Sequence, residues 1–306
     1  MHIVAFGTGG VGANYGGFLA RAGVEVTFIA RGEHLRAIKK NGLLIESPHG
    51  NFSINPAKAT DCPSEVKNVD VILLCTKAWQ VDENIDALSS MLGPETFIVP
   101  LQNYIGASDV LSSRLGSQRV LGGLCYTASY IIGPGVVKAS GGTMIFGELD
   151  NQTSERSKEL EKVINSAIGI SGKSSLNIQF DLWKKFAWIS SASAIGAVTR
   201  APANEWRKIA ETRNLFEGLL HEAFAVAQAR NVCLEDAEFQ ETIEFLDKLP
   251  DQFTTSLQRD IMANKRSELQ QQIGEIVRLG DELNVSVPMS KAIYASLLPG
   301  EMRARS

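Results

Sequence analysis

Six residues near the start of the chain, Gly7-Thr8-Gly9-Gly10-Val11-Gly12, sharply narrow the choice of architecture. They follow the apolar run His2–Phe6 directly and precede a helical pattern over Ala13–Ala22 that Gly23 closes. A G-x-G-x-x-G pattern acquires meaning in that strand–turn–helix context. The first glycine permits a tight turn, the second lets backbone approach a pyrophosphate, and the third lets the helix pack closely on the strand. The N–H groups and partial positive charge at the helix start favour phosphate. All six residues are candidate cofactor ligands, and the competing reading is a glycine-rich turn that binds nothing.

The pattern continues as a βαβ chain should. Glu25–Ala30, Val69–Cys75 and Thr96–Leu101 are apolar, β-branched runs, with a helical stretch over Asp82–Met91. Strands covered on both faces read this way, and right-handed crossovers then give a doubly wound sheet. Val136–Lys138 and Met144–Phe146 are shorter strand candidates, Ser154–Ile168 is a charged amphipathic helix, and Leu176–Phe180 reads as a last strand. From Asp181 onward helical periodicity takes over, over about 182–198, 211–230, 234–246, 255–263, 266–283 and 288–298. The expected fold class is therefore α/β: a Rossmann-type sheet domain over 1–178, then an all-helical domain over 179–306.

Composition removes several alternatives. The 306 residues carry 30 Lys and Arg against 34 Asp and Glu, a net charge of -4. No basic excess exists to hold a nucleic acid. Cys62, Cys75, Cys125 and Cys233 are scattered, and His2, His34, His49 and His221 form no ligand spacing, so no metal is expected. No apolar stretch reaches the ~20 residues a membrane span needs, and Met1–Phe6 lacks a basic leader. The chain reads as cytoplasmic, with a small molecule as its partner. Leu219, Phe224 and Val226 on one helix suit either a homodimer face or the core.

The end of the second strand selects among dinucleotides. NAD sites place Asp or Glu roughly 20 residues after the first glycine, where it holds the ribose hydroxyls. Here the strand ends Ile29-Ala30-Arg31, with no acid. A guanidinium pairs with the extra phosphate of NADP, which a carboxylate would repel. Arg31 therefore points to NADP(H); its bland reading is a solvated arginine. Lys77 lies just past a strand end, at the carboxyl edge of the sheet where ligands bind, and Asn103 occupies the same edge after the next strand.

The opening segment IVAFGTGGVGANYGGFLARAG resembles the ketopantoate reductases (2-dehydropantoate 2-reductases). The resemblance extends in order through Thr76-Lys77, Leu101-Gln102-Asn103, Trp183-Lys184-Lys185-Phe186, and Ser256-Leu257-Gln258-Arg259-Asp260 followed by Glu268. It implies NADPH-dependent reduction of 2-dehydropantoate to pantoate on the way to coenzyme A, in a Rossmann domain joined to a helical domain with the site between. It also implies roles. Lys185 is the general acid: a free lysine, with a pKa of ~10.4, is charged and able to donate to an oxyanion. Glu268 orients that lysine and holds the substrate hydroxyl beside the nicotinamide. Ser256 donates to the substrate carboxylate. Lys77, Asn103 and the backbone of Ala128 contact the cofactor, and Asn103 also touches substrate. The plain alternatives are a surface lysine at 185, one more solvated charge at 268 and a helix N-cap at 256.

Three positions depart from the family. Tyr104 stands where it has glycine after L-Q-N. Ile189 and Ser193 stand where asparagines usually follow the lysine by four and eight residues, offsets that share one helix face. A lost buried hydrogen-bond partner costs ~1–3 kcal/mol, enough to alter substrate preference. Readings that stay open are a ketopantoate reductase, a relative reducing another 2-oxo acid, a non-catalytic NADP-binding redox sensor, and a β-hydroxyacid dehydrogenase. The last is disfavoured by the missing acid at 31, and the sensor by Lys185 and Glu268, which it would not need.

Overall fold

The computed structural model describes residues 1–306. Its contacts divide the chain into two compact units, Met1–Gln102 with Gly106–Asp181, and Asn103–Ile105 with Leu182–Ser306.

The first unit is built on β1 (His2–Phe6), α1 (Gly10–Arg21), β2 (Glu25–Ile29), α2 (Gly32–Asn41), β3 (Leu43–Glu46), β4 (Phe52–Ile54), β5 (Ala59–Thr60), β6 (Val71–Leu74), α3 (Ile85–Ser89), β7 (Phe97–Pro100), α4 (Ala107–Leu115), β8 (Leu121–Tyr126), β9 (Tyr130–Gly133), β10 (Val136–Lys138), β11 (Gly142–Glu148), α5 (Glu155–Asn165) and β12 (Ile170–Ser174). Five strands form a wholly parallel sheet in the order β5-β2-β1-β6-β7. The order turns back between β1 and β6, so the ligand crevice of such a sheet lies at the carboxyl ends of those two strands. Their residues are buried on both faces, which explains why they read as unbroken apolar runs. Two further sheets, β4-β3-β10-β9 and β12-β11-β8, complete the unit. The Rossmann expectation holds, and it missed α2, α4, the strands between residues 43 and 60, and β8, β9 and β12.

The expected strand Leu176–Phe180 is a correction. The strand ends at Ser174, and α6 begins at Ile178. Asn177 Oδ1 accepts the Phe180 N–H at 3.2 Å, as an N-cap does, and Ser175 Oγ accepts the Asn177 N–H. Local side-chain bonds thus override an apolar run.

The second unit contains most of α6 (Ile178–Thr199), then α7 (Ala203–Trp206), α8 (Ala210–Ala229), α9 (Asp236–Lys248), α10 (Ser256–Met262), α11 (Ile273–Leu283) and α12 (Pro288–Arg305). Helix α6 is apolar nearly all round: Trp183, Phe186, Ala187, Trp188, Ala192, Ile195 and Ala197 are all buried, as befits a central helix. Leu219, Phe224 and Val226 of α8 are buried within this unit and belong to its core. The helix expected over 266–283 is also corrected: α11 starts only at Ile273. Residues ahead of it are held instead by Glu301, whose carboxylate accepts the Ser267 N–H and Oγ–H. No helix of the protein is long and apolar enough to cross a membrane.

Candidate active site

In the first unit the glycine loop leaves β1 and is tied to the neighbouring strand. The N–H groups of Gly7 and Thr8 both reach Ile29 O, and Thr8 Oγ donates to the same oxygen at 2.9 Å. The Thr8 hydroxyl therefore secures the loop rather than offering itself to a ligand. Gly7 sits at φ +98 against Thr76, a conformation that favours glycine.

The other glycines of the loop answer to different demands. A Cβ on Gly10 would meet Ser129 O at 2.0 Å, and one on Gly12 would meet Gly7 O at 2.3 Å. The fold itself requires both. Gly9 is different: a Cβ there meets nothing within 4 Å. No packing reason forbids a side chain at position 9, the N-cap of α1, a helix with no side-chain cap bond and no acid in its first turn. Open space, half-buried helix-start donors and an unopposed dipole together form a cradle that fits a pyrophosphate.

Arg31 lies exposed past the end of β2, in extended backbone that starts α2. Lys77 is half-buried after β6, its ammonium 5.7 Å from the Trp79 ring centroid. Ala128 is exposed beyond β8, but its N–H already donates to Ser140 Oγ at 2.9 Å. What it can offer a ligand is its carbonyl.

Two residues that sequence reasoning left without a role secure these loops. Gln102 is buried, and its Nε2 donates to Leu74 O at 3.0 Å and Thr76 O at 3.2 Å, fixing the turn that leads to Lys77. The L-Q-N run signalled it, although the reading stopped at Asn103. His34 Nδ1 accepts the Gly135 N–H at 3.0 Å and so links the start of α2 to the turn before β10. Burial holds this imidazole below its ordinary value, with the Thr8 backbone pulling the other way. Nothing in the spacing of the four histidines identified it.

The second unit gathers the other candidates. Lys184 and Lys185 part company: Lys184 Nζ pairs with Glu241 on α9, and that hydrogen bond holds the Glu241 carboxyl below the usual carboxylate range. Lys185 turns inward, is only 7% exposed, and donates to Asn103 Oδ1 at 2.8 Å. The surface-lysine reading therefore fits Lys184, not Lys185. Ile189 and Ser193 follow along α6, both buried, and Ser193 Oγ has no hydrogen-bond partner. An orphaned buried hydroxyl on the lysine's helix face is a group a ligand can satisfy.

Glu268 is 6% exposed, in the turn before α11 rather than in a solvated stretch. Ser256 is half-buried and is not the cap of α10. Thr255 caps that helix, its side chain accepting the Gln258 N–H at 3.2 Å. Tyr104 is half-buried beside Asn103 in the chain. Asn103, Lys185, Ile189, Ser193, Ser256 and Glu268 thus belong to one compact unit, and the glycine loop, Arg31, Lys77 and Ala128 to the other.

Comparison with known proteins agrees with this composition. Residues 3–151 match the family model described as ketopantoate reductase PanE/ApbA, and residues 177–300 match the model of its C-terminal part. The chain is 26% identical over 302 residues to the Bacillus subtilis (strain 168) protein called uncharacterized oxidoreductase YkpB, covering 97% of this chain and 98% of that one. It is 27% identical to the 2-dehydropantoate 2-reductase of Pyrococcus horikoshii, with 96% of each chain covered. A crystal structure of a PanE/ApbA family ketopantoate reductase from Ralstonia eutropha JMP134 superposes with a TM-score of 0.91 at 29% identity, over 100% of both chains.

Proposed function

The chain belongs to the ketopantoate reductase family, and from that membership we propose that it reduces 2-dehydropantoate to pantoate with NADPH. The observation that carries this reading is the buried Lys185 ammonium, hydrogen-bonded to Asn103 on the central helix of its unit. A buried lysine held by an oriented acceptor suits a proton donor, since burying a charge that does no work only costs free energy.

The Gly9 cradle binds the pyrophosphate, and Arg31 pairs with the ribose phosphate that distinguishes NADP. Once bound, the nicotinamide supplies the hydride to the ketone carbon. Lys185 stabilises the negative charge that develops on the ketone oxygen and delivers its Nζ proton there, then recovers a proton from water. Asn103 Oδ1 keeps the ammonium aimed. Glu268 orients the lysine and accepts the substrate hydroxyl, and Ser256 donates to the substrate carboxylate. Lys77 and the Ala128 carbonyl position the nicotinamide half.

A second reading rests on α6 itself. With Ile189 and Ser193 in place of amides, and Tyr104 in place of glycine, the pocket favours a bulkier or less polar 2-oxo acid. NADPH oxidation followed by absorbance, with ketopantoate beside a panel of other 2-oxo acids, decides between the two. Selective turnover of ketopantoate supports the first reading. A better panel member supports the second, and turnover of none removes both.

The cofactor preference has its own test. Replacing Arg31→Asp exchanges a charged hydrogen bond, about 1.5–3 kcal/mol, for repulsion. The ratio of kcat/KM with NADPH to that with NADH is expected to fall by at least about 10-fold. An unchanged ratio would strip Arg31 of its phosphate-reading role.

A further inference from the structure

Glu268 sits in a non-helical turn, and the residues on either side of it are pinned by one hydroxyl. Ser267 Oγ donates to Glu301 Oε2 at 2.6 Å and accepts the Leu269 N–H at 3.3 Å. The Ser267 N–H also reaches the Glu301 carboxylate, at 3.2 and 3.1 Å to its two oxygens. Beyond it, Glu268 O accepts the N–H groups of Gln271 and Gln272. Rotating the backbone at 268 breaks at least one of these bonds.

The anchor is itself firm. Glu301 is buried on α12, and Arg305 Nε, one turn on, donates to its Oε1 at 2.8 Å. A buried carboxylate with two donors from Ser267 and a paired guanidinium is a costly group to desolvate, and it is tolerated where its bonds are complete. A chain that needed only to close a loop could have used an apolar contact.

We propose that Glu301 is a positioning residue for Glu268: through Ser267 it sets the place of the carboxylate that orients Lys185. The proposal rests on the role given to Glu268 under the proposed function. A built-in control exists. Glu222 on α8 does similar chemistry at the other end of α12, accepting Met289 N and Ser290 N at 2.8 Å and Ser290 Oγ at 2.6 Å, with no candidate site residue beside it in the chain.

The test uses the full chain with NADPH and ketopantoate, or the best acid of the panel. Glu301→Gln should lower kcat by at least 10-fold while leaving the NADPH dissociation constant, read by fluorescence titration, within twofold. Glu222→Gln should lower the melting temperature comparably yet keep kcat near wild type. Combining Glu301→Gln with Glu268→Gln should cost no more than Glu268→Gln alone, because both act on one group. Should Glu301→Gln fail to fold, Ser267→Ala takes its place in the cycle. Wild-type kcat in that variant, or losses that multiply in the double variant, would overturn the proposal. Wild-type turnover by Glu268→Gln alone would instead remove Glu268 from the mechanism, and Glu301 with it.

Discussion

Lys185→Ala is expected to lose about 10²–10⁴-fold in kcat for 2-oxo acid reduction, the span that general acid catalysis usually contributes. The substitution removes both the proton source and the charge that steadies the forming alkoxide, and Asn103 Oδ1 loses its donor. The cofactor loop lies in the other compact unit, so the NADPH dissociation constant should stay within about twofold. Stopped-flow or steady-state NADPH oxidation measures the first quantity and fluorescence titration the second. Turnover near wild type would exclude Lys185 as the acid. A parallel collapse of cofactor binding would mean that the lysine supports the fold instead of the chemistry.

The second large effect separates two glycines of one loop. Gly9→Ala places a methyl in open space, so the apo protein should lose at most about 1 kcal/mol, the cost of a poorer helix cap. Its affinity for NADPH should nevertheless fall about 10–150-fold, since the methyl lifts the pyrophosphate off charged hydrogen bonds of about 1.5–3 kcal/mol. Gly12→Ala should do the reverse first. Its Cβ would sit 2.3 Å from Gly7 O, and backbone must move at a cost of about 1–3 kcal/mol. That is a drop in melting temperature of roughly 2–4 °C per kcal/mol for a domain of this size. Calorimetry of the apo protein and titration with NADPH give both columns of the comparison. If Gly9→Ala binds NADPH as wild type does, the cradle holds no phosphate.

Much of this was legible before any coordinates. The strand–glycine–helix order of residues 2–22 and the apolar runs Val69–Cys75 and Thr96–Leu101 announce the parallel sheet, because burial on both faces leaves little choice of residue. Lys185 and Glu268 were singled out only through the family resemblance. Sequence could not distinguish Lys184 from Lys185 by itself; the distinction comes from Glu241, far along the chain, which takes one lysine and leaves the other to turn inward. It also misread 176–180 and 266–272. In both, short polar side chains bond nearby or distant backbone, Asn177 to Phe180 and Glu301 to Ser267, and such bonds leave no periodic trace. His34 was silent for the same reason, since its partner is a backbone group brought close only by folding.

The Ser267–Glu301 bond also has a meaning in time. Its two ends are separated by 34 positions, and chains are synthesised and folded from the N-terminus onward. While the ribosome is still short of residue 301, the sheet unit can be complete and the glycine loop formed, yet the turn bearing Glu268 lacks its Glu301 anchor. Nascent chains would therefore acquire a place for the dinucleotide well before they acquire an ordered acid, and competence for chemistry would wait on the synthesis of residue 301.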